Sequence, residues 1–166
     1  MDATNQSKTV PNKVLVTGWN NPAFPGQPAE PVATLAKEIG PNATALSTGG
    51  VPTAAQVDQA VAAANGSDLV IVLTNGLRTS ASQRNLVTKL QATGKPVIPV
   101  AIQVPYDPGF VDSPTWVTTY SWRDVSMVSL AKVLLGKISP RGKLPVNVPT
   151  ADPNKILFPF GAGLTW

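Results

Sequence analysis

The sequence contains no cysteine and no histidine among its 166 residues, and these two absences remove much chemistry at once. Without cysteine there is no thiol nucleophile and no disulfide, and without either residue there is no zinc site of the usual kind. Without histidine there is no Ser–His dyad. Lack of cysteine suits an exported protein and a cytosolic one equally, so the compartment stays open. Acidic residues are also scarce, nine against 13 Lys and Arg, which leaves a formal net charge of +4. The basic residues are scattered, with Arg141 and Lys143 the densest pair. Nucleic-acid binding calls for a basic stripe interleaved with stacking aromatics, so no nucleic-acid partner is expected. No apolar run approaches the roughly 18 to 20 residues of a membrane helix, so no membrane span is expected in this chain. The first ten residues are polar and lack an apolar signal core, so an export signal of any longer parent is expected upstream. Phosphate fingerprints are missing as well. Gly18-Trp-Asn-Asn-Pro22 lacks the second and third glycines that let a pyrophosphate approach a helix, and no Walker sequence occurs. No cofactor is expected.

What is present describes a packed domain. Hydrophobic residues make up 43% of the chain and charged residues 13%, a balance that argues against disorder. The length suits one domain, read here as a loose lead-in over 1–12 followed by a single folded unit over 13–166. Apolar runs at Lys13–Gly18, Ala43–Ser47, Leu69–Thr74, Pro96–Ile102 and Trp116–Tyr120 read as strands. The third and fourth are apolar almost throughout, as in parallel strands covered on both faces. Helical spacing fills the gaps. Val32, Leu35, Ala36 and Ile39 share one face before Gly40, and Val57, Ala60, Val61 and Ala64 do the same before Asn65-Gly66. Thr53 with Gln56, and Ser80 with Gln83, have capping-box spacing, in which the glutamine returns a bond to the cap. A last helix should run from about Val125 through Leu134, with Asp124 placed to cap it and Gly136 to stop it. This alternation predicts an α/β three-layer sandwich, a mainly parallel, doubly wound, flavodoxin-like sheet of about five to six strands with helices on both faces. The link from Val104 to Pro114 should be irregular. The tail from Ser139 is cut by prolines, with Leu144–Val148 a candidate edge strand.

Ligands of open parallel sheets favour the loops at the carboxyl ends of strands, here beginning at Gly18, Thr48, Asn75, Gln103 and Ser121. Ser47-Thr-Gly-Gly50 could seat an anion, although a plain strand-to-helix turn fits it better. Acid/base chemistry on a bond requires carboxyl groups converging on one place, and the acids are poorly placed for that. Glu30 and Glu38 belong to the surface of the first helix, and Asp68 falls on the opposite edge of the sheet. Asp107 follows strand four, but in Pro105-Tyr-Asp-Pro108, a turn-forming context. No acid occurs between Asp68 and Asp107, so the loop Thr74–Ser80 offers amide, hydroxyl and guanidinium groups without a carboxylate. Asn75 and Arg78 are the candidates there for contacting a sugar or a neighbouring domain. A turn residue and a solvated arginine is the simpler reading of that pair. The four tryptophans and two tyrosines are spread out and read as core and interface anchors rather than a carbohydrate platform.

The second half of the chain resembles a known family. Gly94-Lys-Pro-Val-Ile-Pro-Val100, Pro105-Tyr-Asp107, Tyr120 and Val125-Ser126 leading into Leu130–Gly136, Ser139-Pro-Arg-Gly-Lys-Leu-Pro-Val146 and Phe158-Pro-Phe-Gly-Ala-Gly-Leu164 follow in order. Together they are similar to the C-terminal domain of glycoside hydrolase family 3, nearest to its β-N-acetylhexosaminidase branch, and the likeness covers about 13–166. The resemblance implies a partner, an N-terminal TIM-type barrel of the same parent that carries the aspartate nucleophile. Any sugar would then be met only through that barrel. In the glucosidase branch the second domain supplies a glutamate as acid/base, and the matching stretch here, Asn75 to Gln83, has none. In the hexosaminidase branch a barrel histidine paired with an aspartate does that work. The resemblance therefore implies a chain with no catalytic residue of its own, inactive alone, and a parent that is exported or attached to the cell envelope. A freestanding flavodoxin-like ligand-binding module and the second domain of a β-glucosidase are the alternatives. The family ending often reads Phe-Gly-His-Gly-Leu, a small residue and Tyr; here it is Phe160-Gly-Ala-Gly-Leu-Thr-Trp166.

Overall fold

A computed structural model describes residues 11–20 and 30–165. Most of the expected lead-in and Trp166 thus lie outside the described residues. Five strands form one parallel sheet: β1 (Val14–Gly18), β2 (Ala43–Ser47), β3 (Leu69–Thr74), β4 (Val97–Ala101) and β5 (Val117–Thr118), in the order β2-β1-β3-β4-β5. The helices α1 (Pro31–Ile39), α2 (Ala54–Asn65), α3 (Ala81–Gln91) and α4 (Asp124–Leu134) lie between and after them. The doubly wound sandwich expected from the sequence is what forms.

The strand pattern explains the layers. Successive side chains of a strand point to opposite faces, so β1 sends Val14 and Val16 to one side and Leu15 to the other. β3 does the same with Ile71 and Leu73 against Val70 and Val72. The first face is closed by Val32, Leu35 and Ala36 of α1 with Met127, Leu130 and Ala131 of α4. The second is closed by Val57, Ala60 and Ala64 of α2 with Leu86, Val87 and Leu90 of α3. Burying each large side chain contributes about 1.5–3 kcal/mol, so both sandwich layers are needed. Pro31 opens α1, where a missing N–H costs nothing. Gly18 closes β1 at φ 104, and a Cβ there would strike the Leu73 carbonyl of the adjacent strand.

Three local expectations are corrected. Asp124 is the first residue of α4 rather than its cap; Arg123 holds the cap position and makes no side-chain cap bond. The Asp124 carboxylate instead accepts the Thr34 hydroxyl of α1 at 3.1 Å, tying the two helices of that face. Leu144–Val148 does not extend the main sheet. A separate antiparallel pair forms from β6 (Val148–Pro149) and β7 (Ile156–Phe158). Beyond it Leu144 N–H donates to Ala162 C=O, and Gly161 N–H to Leu144 C=O, both at 2.8 Å. The proline-cut tail thus folds back on itself as a hairpin arm. The third correction concerns Gln83. Ser80 caps α3 by accepting the Gln83 N–H, but the Gln83 side chain does not return the bond. By contrast, Thr53 and Gln56 make the full reciprocal box at the head of α2.

Candidate functional site

In this strand order the chain leaves β1 in opposite directions, so the loops after β1 and β3 diverge and leave a crevice at the carboxyl edge. An open cleft of about 500 Å³ occupies that place. Trp19 from the end of β1, Gly50 and Val51 from the loop after β2, and Asn75, Gly76 and the stretch 79–83 after β3 surround it. Its polar groups are amides and hydroxyls.

Of the two site candidates read from the sequence, Asn75 borders this cleft and Arg78 does not. Arg78 is exposed on the same loop, and its guanidinium makes no hydrogen bond or ion pair among the described residues. The Asn75 amide donates to Gln103 Oε1 at 2.9 Å, linking the loops after β3 and β4.

The acid that the fold brings to this loop is Asp107, in a short 3-10 turn, η1 (Asp107–Gly109), after β4. The turn expected at Pro105–Pro108 is present, but its aspartate is not a surface group. Asp107 is 2% exposed. One carboxylate oxygen accepts the Thr74 hydroxyl at 2.7 Å, and the other accepts the Leu77 N–H at 2.8 Å. Burial raises its pKa above the ordinary 3.8, because the charged form loses water; the bonds from Thr74, Leu77 and Gly76 pull the other way. With both oxygens engaged and solvent excluded, Asp107 braces the loop rather than reaching into the cleft.

Sequence reasoning missed Gln83. It is 3% exposed, and its amide is spent on backbone. Oε1 accepts the Asn75 N–H at 3.1 Å, while Nε2 donates to Asn75 C=O at 3.0 Å and Gly50 C=O at 2.9 Å. Capping-box spacing pointed to a local partner, and the actual partners lie eight and 33 residues away. The signal the sequence holds is its place on the apolar stripe of α3, three, four and seven residues before Leu86, Val87 and Leu90.

The carboxyl edge of the sheet, including the first turn of α4, carries apolar groups in solvent. Val51 is 79% exposed, and Val104, Tyr106, Tyr120 and Val125 are exposed as well. Tyr120 has φ 56, a left-handed conformation that costs a non-glycine residue about 1 kcal/mol or more. Trp19 and Trp122 meet with ring centroids 6.2 Å apart, and the Arg123 guanidinium lies 4.7 Å over the Trp122 ring. The hairpin arm exposes a second apolar surface through Ile156, Leu157, Phe158, Phe160 and Leu164.

The family model of the glycosyl hydrolase family 3 C-terminal domain matches residues 4–166. No curated protein sequence matches the chain. Among solved structures, a glycoside hydrolase family 3 β-N-acetylglucosaminidase from Paenibacillus sp. str. FPU-7 is similar at 21% identity and TM-score 0.69, over 78% of this chain and 26% of that one. A β-glucosidase from Listeria innocua, in complex with isofagomine, is similar at 16% identity and TM-score 0.76, over 93% and 30%. A family 3 exo-β-xylosidase is similar at 19% identity and TM-score 0.72, over 99% and 29%. At these identities the likeness is one of fold. The chain spans under a third of the length of each of these three.

Proposed function

Since the chain belongs to the family of glycosyl hydrolase family 3 C-terminal domains, we propose that it is the non-catalytic half of a glycosidase acting on terminal β-linked N-acetylglucosamine or related β-hexosaminides. Its work is to pack against a separate catalytic TIM-type barrel and to border the substrate cleft from one side, with Asn75 and Arg78 on the bordering loop. One observation carries this reading. The loop after β3 presents amides, hydroxyls and a guanidinium, while the acid nearest to it, Asp107, is sealed behind it with both oxygens occupied. Glycoside hydrolysis canonically uses two carboxyl groups about 5–10 Å apart across the scissile bond. Such a pair has to come from elsewhere. The absence of a carboxylate on this loop also favours the hexosaminidase branch over the glucosidase branch.

The exposed apolar rim supports docking. Val51, Tyr106, Tyr120 and Val125 stand in water on one edge, a pattern typical of a surface covered in the working protein. The test is direct. The isolated chain, given an aryl β-N-acetylglucosaminide, is expected to release no aryl alcohol above background. Turnover that disappears on Asp107→Asn or Asn75→Ala would overturn the proposal.

A freestanding ligand-binding module is the second reading, favoured by the position of the cleft where the strand order reverses. Thermal unfolding with a panel of nucleotides and flavins separates the two. Stabilisation by several degrees would favour the module.

A further inference from the structure

The loop between β3 and α3 is held in an unusual way. Five of its backbone groups are tied by side chains from outside the loop: Asn75 N–H and C=O by Gln83, Leu77 N–H by Asp107, and Leu77 C=O and Arg78 C=O by Arg84. Its own backbone adds only the bonds from Thr79 and Ser80 to Gly76 C=O. A connection that merely joins a strand to a helix has no need of this. Loops ordinarily run over the surface with water on their polar groups, and burying a carboxylate and an amide to hold one carries a desolvation cost that an apolar filler would avoid.

The two buried groups hold different residues of the loop. Gln83 grips Asn75 in both directions, as a neighbouring strand would, and its second amide hydrogen reaches Gly50 across the cleft floor. Asp107 clamps the next turn through Leu77, and its second oxygen is fixed by Thr74 at the end of β3. Between the two clamps stands Gly76 at φ 77. Of the held stretch Asn75 to Leu77, Asn75 and Gly76 border the cleft.

We infer that Gln83 and Asp107 are paired positioning residues that fix the β3–α3 loop in the shape that turns Asn75 and Gly76 toward the cleft. The inference deepens the docking proposal, since it rests on the reading that this loop borders the partner domain. The fixed shape spares the ordering cost that a mobile loop would incur when an opposing surface or sugar arrives.

Amide hydrogen exchange by nuclear magnetic resonance, on the full 166-residue chain without any partner, tests it. Gln83→Met is expected to speed exchange at the Asn75 N–H by about tenfold or more, and Asp107→Ala to do so at Leu77, each by removal of one buried bond. The strand amides of Val70 and Val72 should keep their protection. Asp107→Asn retains an acceptor for Leu77 and should restore its protection to within about twofold of the unmodified chain. Where Asp107→Ala does not fold, Thr74→Val replaces it, with faster exchange at Leu77 expected. Unchanged exchange at Asn75 and Leu77 overturns the inference. So does a rise spread evenly over loop and strands, which would make both residues general supports of the core. Since no barrel and no sugar enter the experiment, its failure is distinct from failure of the docking proposal, which the turnover assay addresses.

Discussion

The Thr74 hydroxyl donates to Asp107 Oδ2 at 2.7 Å, although the Val100 carbonyl lies 3.3 Å from Thr74 Oγ1 and competes for the one hydroxyl hydrogen. Asp107→Asn resolves that competition. The amide nitrogen can donate to Thr74, Thr74 can then donate to Val100, and the remaining amide oxygen still accepts from Leu77. The substitution should be tolerated, and it removes a titration. The folded pKa of Asp107 is raised, so between 3.8 and that raised value the unfolded chain gives up its proton while the folded chain keeps it. The contribution of this group is therefore fully present below 3.8 and is lost as pH rises through the folded value. Urea midpoints of both proteins from pH 3 to pH 7 check this as a difference, which cancels the other carboxylates: Asp107→Asn should gain on the unmodified chain as pH rises. A gain in the other direction would contradict the assigned sign.

Gly109→Ala should destabilise the domain by about 1–3 kcal/mol, because a Cβ there would overlap the Pro149 carbonyl of β6 and backbone has to move. Chemical denaturation measures it. An unchanged midpoint would mean that the arm is not seated on η1.

Phe160→Ser with Leu164→Ser addresses the arm. Both side chains stand in solvent, 70% and 81% exposed, so the thermal midpoint of the isolated chain should barely move, within about 0.5 kcal/mol. If the arm belongs to the docking surface, binding to a separately expressed family barrel should weaken by tenfold or more, read by calorimetry. Equal affinity would remove the arm from that surface.

Thr53→Ala deletes a reciprocal cap in which Thr53 accepts the Gln56 N–H at 3.3 Å and Gln56 Oε1 accepts the Thr53 N–H at 2.9 Å. About 0.5–2 kcal/mol should be lost in thermal unfolding.

The sandwich was legible because its signals are local. The bounds of β2 and β3 follow directly from apolar runs ended by polar or turn residues, and the box at Thr53 joins residues three apart. Reading failed where the partner is distant. Asp124 looks like a cap from its neighbours, yet its hydroxyl partner is 90 residues away on α1. Gln83 has the spacing of a second box, yet the Asn75 N–H takes the Oε1 that a box would need, while Nε2 donates to the carbonyls of Asn75 and Gly50. Leu144–Val148 reads as a candidate edge strand, and nothing local says that it pairs with the segment following it. Asp107 was read as a turn former, which η1 bears out, while its burial depends on β3, which lies 33 residues earlier in the chain at Thr74.

The three residues of η1 stand at a junction. Asp107 holds the cleft loop on one side, and Gly109 abuts the Pro149 carbonyl of the arm on the other. A substitution in these three residues therefore reaches two surfaces at once, the loop that borders the cleft and the arm that carries the exposed aromatics.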